Sequence, residues 1–161
     1  MQFIDNRYYI MINESKLIEG EITLRDLRLS DEVSETRRSI VRYLALSMGI
    51  INPGESRQSA VSVLDAILHF QFSLRRDPTV SELSEYIGSN WAPINEKTLR
   101  YHLLQFKKAK IINNEKGRYF IFNPKIGDKY DESVWVNSYI DNIMSPIKEK
   151  MILALKELKN R

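Results

Sequence analysis

Hydrophobic residues recur at helical spacing in the second quarter of the chain. Between residues 34 and 48 the apolar residues that recur at this spacing are Ile40, Val41, Leu44, Ala45 and Met48. Because residues three and four apart share one face of a helix, this pattern predicts a helix that ends near Gly49. The first 29 residues instead alternate weakly around Asn13-Glu14-Ser15, which predicts a hairpin or two short strands.

Three further helices are predicted between residues 52 and 109. Asn52-Pro53-Gly54-Glu55 is typical of a helix start, and the following apolar run predicts a helix to about Ser73 that buries Val63, Leu64, Ile67 and Leu68. Thr79 and Glu82 have the spacing of a capping box, with Gly88 as the expected end of that helix.

The next segment is predicted to be a helix followed by a β-hairpin. Asn95 can cap a helix whose buried face consists of Leu99, Leu103 and Phe106. After Lys110 the apolar period changes to two, with Ile112, a polar tip at 113–117 and the aromatic strip 119–122 before Pro124.

The C-terminal segment is predicted to form two helices. The first follows Asp131, and Ser145-Pro146 is expected to interrupt it because a residue before proline avoids helical dihedral angles. The second helix carries an apolar stripe of Ile147, Met151, Ala154 and Leu158. Such a stripe suits a dimer interface, although the helices could also pack on their own chain.

Composition narrows the possible classes of function. The 161 residues include no cysteine, which excludes disulfides, thiolate chemistry and cysteine-ligated zinc or iron-sulfur centres. The net charge is +3, but residues 75–118 alone hold 9 basic against 5 acidic side chains. No apolar run has the length of a membrane span and the N-terminal residues lack the pattern of a signal peptide, so we expect a cytoplasmic protein with no membrane partner.

The order helix, helix, short turn, helix and basic hairpin resembles a known superfamily. Residues 59–123 resemble the winged helix-turn-helix transcription regulators of bacteria and archaea: TVSELSEYIG (79–88) resembles their second helix, NEKTLRYHLLQF (95–106) their recognition helix, and KGRY (116–119) their wing. The resemblance implies a mainly α fold with a small β wing. It divides the chain into an N-terminal extension of short strands and one helix (1–58), a winged DNA-binding domain (59–124) and a C-terminal helical dimerisation segment (125–161).

This resemblance places a recognition helix, about 95–109, in the major groove of double-stranded DNA, and a wing, about 111–122, on the backbone or minor groove. Arg100 could read guanine, Gln105 adenine, and Thr98 a phosphate or thymine methyl group. The candidate DNA-binding residues are Lys97, Thr98, Arg100, Tyr101, Gln105, Lys108, Lys116 and Arg118.

Several other side chains in this part of the chain could either contact DNA or have a purely structural role. His102 could contact DNA or belong to the packing beside Leu103, and Trp91 could stack on bases or fill the core. Arg75 and Arg76 could bind phosphate or offset a helix dipole. The strip 119–122 could stack on bases or close the small sheet, and a basic helix face could simply be solvated.

Catalysis is not indicated. Only two histidines occur, and the phosphate-loop and HExxH motifs are absent. Asp65 precedes His69 by four residues, but a surface hydrogen bond or a buried polar contact explains such a pair better than acid-base chemistry. We therefore expect neither an enzyme nor a cofactor or metal.

The sequence thus favours a homodimeric regulator that binds a pseudo-palindromic DNA site. A winged-helix protein-interaction module and a replication or plasmid-maintenance initiator are the alternatives. The roughly 38 residues after the wing are too few for a separate ligand domain, so any small-molecule effector is expected at the dimer interface.

Overall fold

The computed structural model describes residues 12–121 and 126–161, and it is mainly helical with a small two-stranded antiparallel sheet. Besides a 3-10 turn at Glu14–Leu17 and a π-helical turn at His69–Ser73, the elements are α1 (Asp31–Ser34), α2 (Arg37–Ser47), α3 (Ser59–Leu68), α4 (Val80–Asn90), α5 (Glu96–Lys108), β1 (Ile112–Glu115), β2 (Arg118–Ile121) and α6 (Glu132–Lys159). The predicted fold class is confirmed at this level.

Helix α3 lies at the centre of the core. All its residues from Val61 to Leu68 are buried, as predicted for Val63, Leu64, Ile67 and Leu68, and α2, α4 and α5 pack around it. The π-helical turn that follows places Phe70 and Gln71 side by side in the interior. The buried Gln71 side chain donates to the carbonyl of Lys129 at 2.6 Å and accepts from the amide of Ile121 at 3.4 Å.

For the described part of the N-terminal region, the prediction of a hairpin or two short strands is wrong. No strand occurs in residues 12–58; residues 18–30, here called the strap, run without regular structure to α1 and α2. The guanidinium of Arg25 on the strap donates to the carbonyls of Leu46 and Ile51 at 2.7 and 2.9 Å. These distant partners anchor the strap without sheet pairing. The predicted strand residues Phe3, Tyr8 and Ile10 lie outside the described residues.

Gly49 ends α2, as predicted, and also seats the strap. Its φ is +68°, and a Cβ atom at this position would lie 2.7 Å from the carbonyl oxygen of Thr23. Only glycine combines that backbone angle with so close an approach.

Two predicted helix boundaries are wrong. Asn52-Pro53-Gly54-Glu55 forms a turn rather than a helix start, because Gly54 has a φ of +78° and α3 begins only at Ser59. The Asn52 amide still donates to the Glu55 carboxylate at 2.9 Å, as in a capping box. Gly88 does not end α4, which continues to Asn90.

The hairpin turns tightly at Lys116-Gly117, so the polar tip is shorter than predicted. Both residues have positive φ, +50° and +75°, as a two-residue type I′ turn requires. The strands pair from Ile112 with Ile121 to Glu115 with Arg118. An isolated bridge between Thr79 and Arg118 joins β2 to the segment before α4, whereas the predicted hairpin residues Phe122 and Pro124 lie outside the described residues.

Helix α6 is one helix of 28 residues, so the predicted interruption at Ser145-Pro146 is wrong. Proline removes its own N–H donor but has a helical φ, and the hydrogen bonds on both sides continue the helix. The first half of α6 is anchored by buried Trp135, Tyr139 and Ile143, with Trp135 in aromatic contact with Phe72. Within the described ranges, no helix combines the length and apolarity needed to cross a membrane.

Candidate nucleic-acid interface

The packing of α5 determines which of its side chains reach solvent. The Asn95 side chain caps the helix by accepting from the Thr98 amide at 2.7 Å. Leu99, Leu103 and Phe106 are buried, at 0, 1 and 3% exposure. The predicted helix cap and the predicted buried face are therefore both confirmed. The opposite side of α5 is exposed.

The outer face of α5 consists of the residues opposite that buried stripe, at about 100° per residue: Lys97, Tyr101, Leu104 and Lys108. Tyr101 is 58% exposed and Leu104 is 49% exposed. Three of these four residues were predicted site residues. Leu104 was missed because leucine is most often a core residue.

Arg100 lies on the flank of α5 that faces α4. Its Nε donates to the Glu96 carboxylate at 2.7 Å, and this hydrogen bond raises the pKa of Arg100. The two residues line a shallow groove with Ser81, Ser84 and Glu85 of α4. The guanidinium is exposed, and it is paired with a carboxylate one helical turn earlier on the same helix.

On the other flank, a cleft of about 560 Å³ separates α5 from the segment between α2 and α3, residues 48–58. Thr98 and Gln105 line this cleft and are only partly exposed. Gln105 therefore lies on the flank of α5 beside this cleft rather than on the outer face. Arg57, in the segment between α2 and α3, also lines the cleft.

His102 belongs to the packing side of that cleft. It is partly buried, and its Nε2 is hydrogen-bonded to the hydroxyl of Ser59 at 2.9 Å. Burial, with a smaller contribution from Arg57, lowers the pKa of His102. Its position supports the packing interpretation over direct contact with DNA.

Trp91 closes the loop between α4 and α5. Its indole N–H donates to the buried carboxylate of Asp65 at 2.8 Å, and the guanidinium of Arg38 lies 4.2 Å from its ring centre. Asp65 also accepts from Arg37 and Tyr86. These contacts support a packing role for Trp91 and a buried polar contact for Asp65. His69 stacks on the ring of Tyr86.

The hairpin presents Lys116 at its exposed tip, but Arg118 is partly engaged elsewhere. The guanidinium of Arg118 donates to the Asp77 carbonyl at 2.9 Å and lies 3.9 Å from the Glu82 carboxylate. Arg75 and Arg76 pair with Asp128 and Glu82, respectively. Of these four cations, Lys116 is the one whose placement best fits the predicted hairpin contact with phosphate.

The segment containing α5 and the hairpin is strongly basic. Residues 95–118 contain seven lysines and arginines and two glutamates. Lys107 and Lys110 belong to this set but were not among the predicted site residues. A surface with this charge attracts polyanions by a salt-dependent interaction.

Comparisons of this chain with protein-family models, with curated proteins and with solved structures found no match.

Proposed function

We propose that the protein is a winged helix-turn-helix transcription regulator that binds specific double-stranded DNA sites as a homodimer in the cytoplasm. The order of α3, α4, α5, β1 and β2 supports this class of fold. The bridge between Thr79 and Arg118 adds support, since it attaches the hairpin to the strand-like segment before α4.

The observation that carries the proposal is the outer face of α5. It is exposed along the whole helix, and its lysines at the two ends, Lys97 and Lys108, flank Tyr101 and Leu104. An α-helix fits the major groove of B-form DNA, where the lysines can neutralise phosphates and the central side chains can contact base edges and thymine methyl groups. Arg100 can reach a base edge only when its hydrogen bond to the Glu96 carboxylate breaks.

The hairpin supplies the wing in this proposal. Lys116 at the turn reaches the DNA backbone or minor groove, where it adds charge rather than sequence discrimination. Arg118 chiefly fixes the orientation of the wing relative to α4 through its bond to the Asp77 carbonyl.

Helix α6 supplies the dimer interface. An apolar stripe at spacings of three and four extends over about 33 Å of the helix and consists of Val136, Ile140, Met144, Ile147, Met151, Leu155 and Leu158. Met151 is 62% exposed and Leu158 is 70% exposed. Pairing two copies along this stripe would bury these side chains and give the two-fold symmetry that a pseudo-palindromic site requires.

A protein-interaction module is the second candidate, and one observation favours it. Tyr101 and Leu104 place exposed apolar surface at the centre of the outer face of α5. Aromatic side chains of this kind are common anchors of protein interfaces. In this case α5 would dock against a protein groove rather than DNA.

Selection from a random duplex library by the purified full-length protein tests the proposal. We expect an enriched duplex with two half-sites, and a Lys97→Ala/Lys108→Ala variant that binds all duplexes more weakly with a smaller dependence on salt. Lys148→Ala/Lys159→Ala on α6 is the matched control and should bind like the parent. If the parent prefers no duplex over random DNA at physiological salt, the regulator proposal fails and the interaction module takes its place.

A further inference from the structure

A groove of about 640 Å³ lies between the N-terminal part of the chain, the end of α5 and the middle of α6. This volume is within the range of small-molecule sites, roughly 300–1,000 Å³. It lies within one chain, unlike the effector position expected from the sequence, and it shares Ile147 with the α6 stripe proposed as the dimer interface. The side chains that the following paragraphs use are Ile18, Ile22, Tyr139, Ile143, Ile147 and the lysines at its rim.

Aliphatic side chains form two facing walls of the groove. Tyr139, Ile143 and Ile147 form the α6 wall, and Ile18 and Ile22 of the strap face it. From Tyr139 to Lys150 the α6 wall is about 16 Å long. Ile18 is 59% exposed and Ile22 is 41% exposed, so a ligand with an elongated apolar body would remove this surface from water.

The rim of the groove is positively charged at the end of α5. Lys108 and Lys110 lie there and make no ion pair with any residue in the ranges 12–121 and 126–161. On the opposite rim, Lys150 pairs with Glu19. Glu21 is the second carboxylate in the lining of the groove. The charge at the α5 end therefore complements a ligand anion.

We propose that this groove binds a single-chain aliphatic carboxylate. Its acyl chain would lie along Tyr139, Ile143 and Ile147 beneath the strap. Its carboxylate would accept charge-assisted hydrogen bonds from Lys110 and Lys108 at the end of α5.

Ligand binding would also affect the proposed DNA interface, and this consequence rests on the proposed function. Lys108 belongs both to the outer face of α5 and to the rim of the groove. A carboxylate bound at the rim would withdraw this lysine from a DNA phosphate. Occupied protein should therefore bind DNA less tightly than the unliganded protein.

Calorimetric titration of the full-length protein with decanoate, below its micelle concentration and without DNA, tests the site. We expect saturable binding of one decanoate per chain. Butyrate lacks the long apolar body and 1-decanol lacks the charge, so both should bind at least about tenfold more weakly. Equal binding of decanoate and 1-decanol would overturn the assignment of the cationic rim.

Two pairs of variants locate the site. Ile22→Ser and Lys110→Gln should each weaken decanoate binding at least about tenfold. Leu24→Ser, at a strap position of equal exposure outside the groove, and Lys148→Gln, on α6, are the matched controls and should bind like the parent. Unchanged affinity in both test variants, or equal losses in the controls, would overturn the proposal. A change of oligomeric state in Ile22→Ser without decanoate binding by the parent would assign the groove to a second copy instead.

The two proposals fail separately. Decanoate should weaken binding of the selected duplex to the parent but not to Lys110→Gln. Decanoate binding by a protein that prefers no duplex would overturn the DNA proposal alone. Specific DNA binding by a protein that takes up no decanoate would overturn the ligand proposal alone.

Discussion

Trp91 and Asp65 are joined by a 2.8 Å hydrogen bond from the indole N–H to the carboxylate, across 26 residues of sequence. The same carboxylate accepts from the Tyr86 hydroxyl at 2.9 Å and from Arg37 at 2.7 Å. One buried side chain of α3 therefore holds α2, α4 and the loop that leads into α5. The position of α5 depends on this group.

Removal of the Asp65 carboxylate should destabilise the protein strongly. Asp65→Ala leaves the Trp91 and Tyr86 donors without their acceptor, and we expect a loss of about 3 kcal/mol in the free energy of unfolding. Asp65→Asn keeps one acceptor oxygen and should lose less. Chemical denaturation measures both, with the exposed Asp141→Ala as control; a loss in Asp65→Ala no larger than that in Asp141→Ala would contradict the role of Asp65.

Two glycines should respond to alanine with opposite signs. Gly49→Ala introduces a side chain at positive φ and against Thr23, so we expect a loss of about 1–3 kcal/mol in the free energy of unfolding. Gly88 lies inside α4 with open space around it, and Gly88→Ala should gain about 0.5–1 kcal/mol. Thermal denaturation of the two variants tests both signs, and a stable Gly49→Ala would show that the strap is not seated as described.

The stability of the protein should fall in two steps as the pH decreases. Burial lowers the pKa of both His69 and His102, so below about pH 6.5 the unfolded chain binds protons that the folded chain does not. The free energy of unfolding should therefore decline as the pH falls from 7 to 5. Above pH 7 these two groups contribute no pH dependence.

A separate decline at lower pH should come from Glu82. The hydrogen bond from the Thr79 backbone, followed by that from Arg76, lowers the pKa of Glu82, and the stabilisation it provides is lost as the pH falls below about 4.5. His102→Gln should flatten only the first decline in a pH series of denaturation curves. An unchanged slope between pH 7 and 5 in this variant would contradict the assignment.

The pair of Glu96 and Arg100 should control DNA affinity in opposite directions. Arg100→Ala should weaken binding to the selected duplex by roughly 5- to 150-fold, because the proposed guanine contact is lost. Glu96→Gln frees the guanidinium and removes a negative charge near phosphate, so it should strengthen binding. Fluorescence anisotropy at fixed salt measures both; if Arg100→Ala binds like the parent, Arg100 does not read the site.

Charge on the apolar stripe of α6 should separate the proposed dimer. Met151→Glu places a carboxylate within the stripe, and we expect light scattering to give the mass of one chain instead of two. Leu153→Glu changes an equally exposed residue on the opposite side of α6 and should leave the dimer intact. A parent protein that is monomeric at micromolar concentration would overturn the dimer itself.

Local signals in the sequence were sufficient for the elements that form the candidate interface. Thr79 with Glu82, Asn95 and the apolar stripe of α5 each act within one or two helical turns, and each was found where the sequence predicted it. The strap was not predictable in this way, because the carbonyls that bind Arg25 lie 21 and 26 residues later. Side-chain pairing was also missed: the spacing of Glu96 and Arg100 is visible in the sequence, but whether the pair forms depends on the flank they share with α4.

The two hydrogen bonds of Gln71 have a consequence for the geometry of a dimer. One amide group holds the end of β2 and the chain just before α6 to the same point of the core. The end of the hairpin and the segment that leads into α6 are therefore tied to the same side chain of the core. If α6 pairs two copies and α5 reads DNA, as proposed, these bonds restrict the distance between the two α5 helices, and the protein should tolerate little variation in half-site spacing.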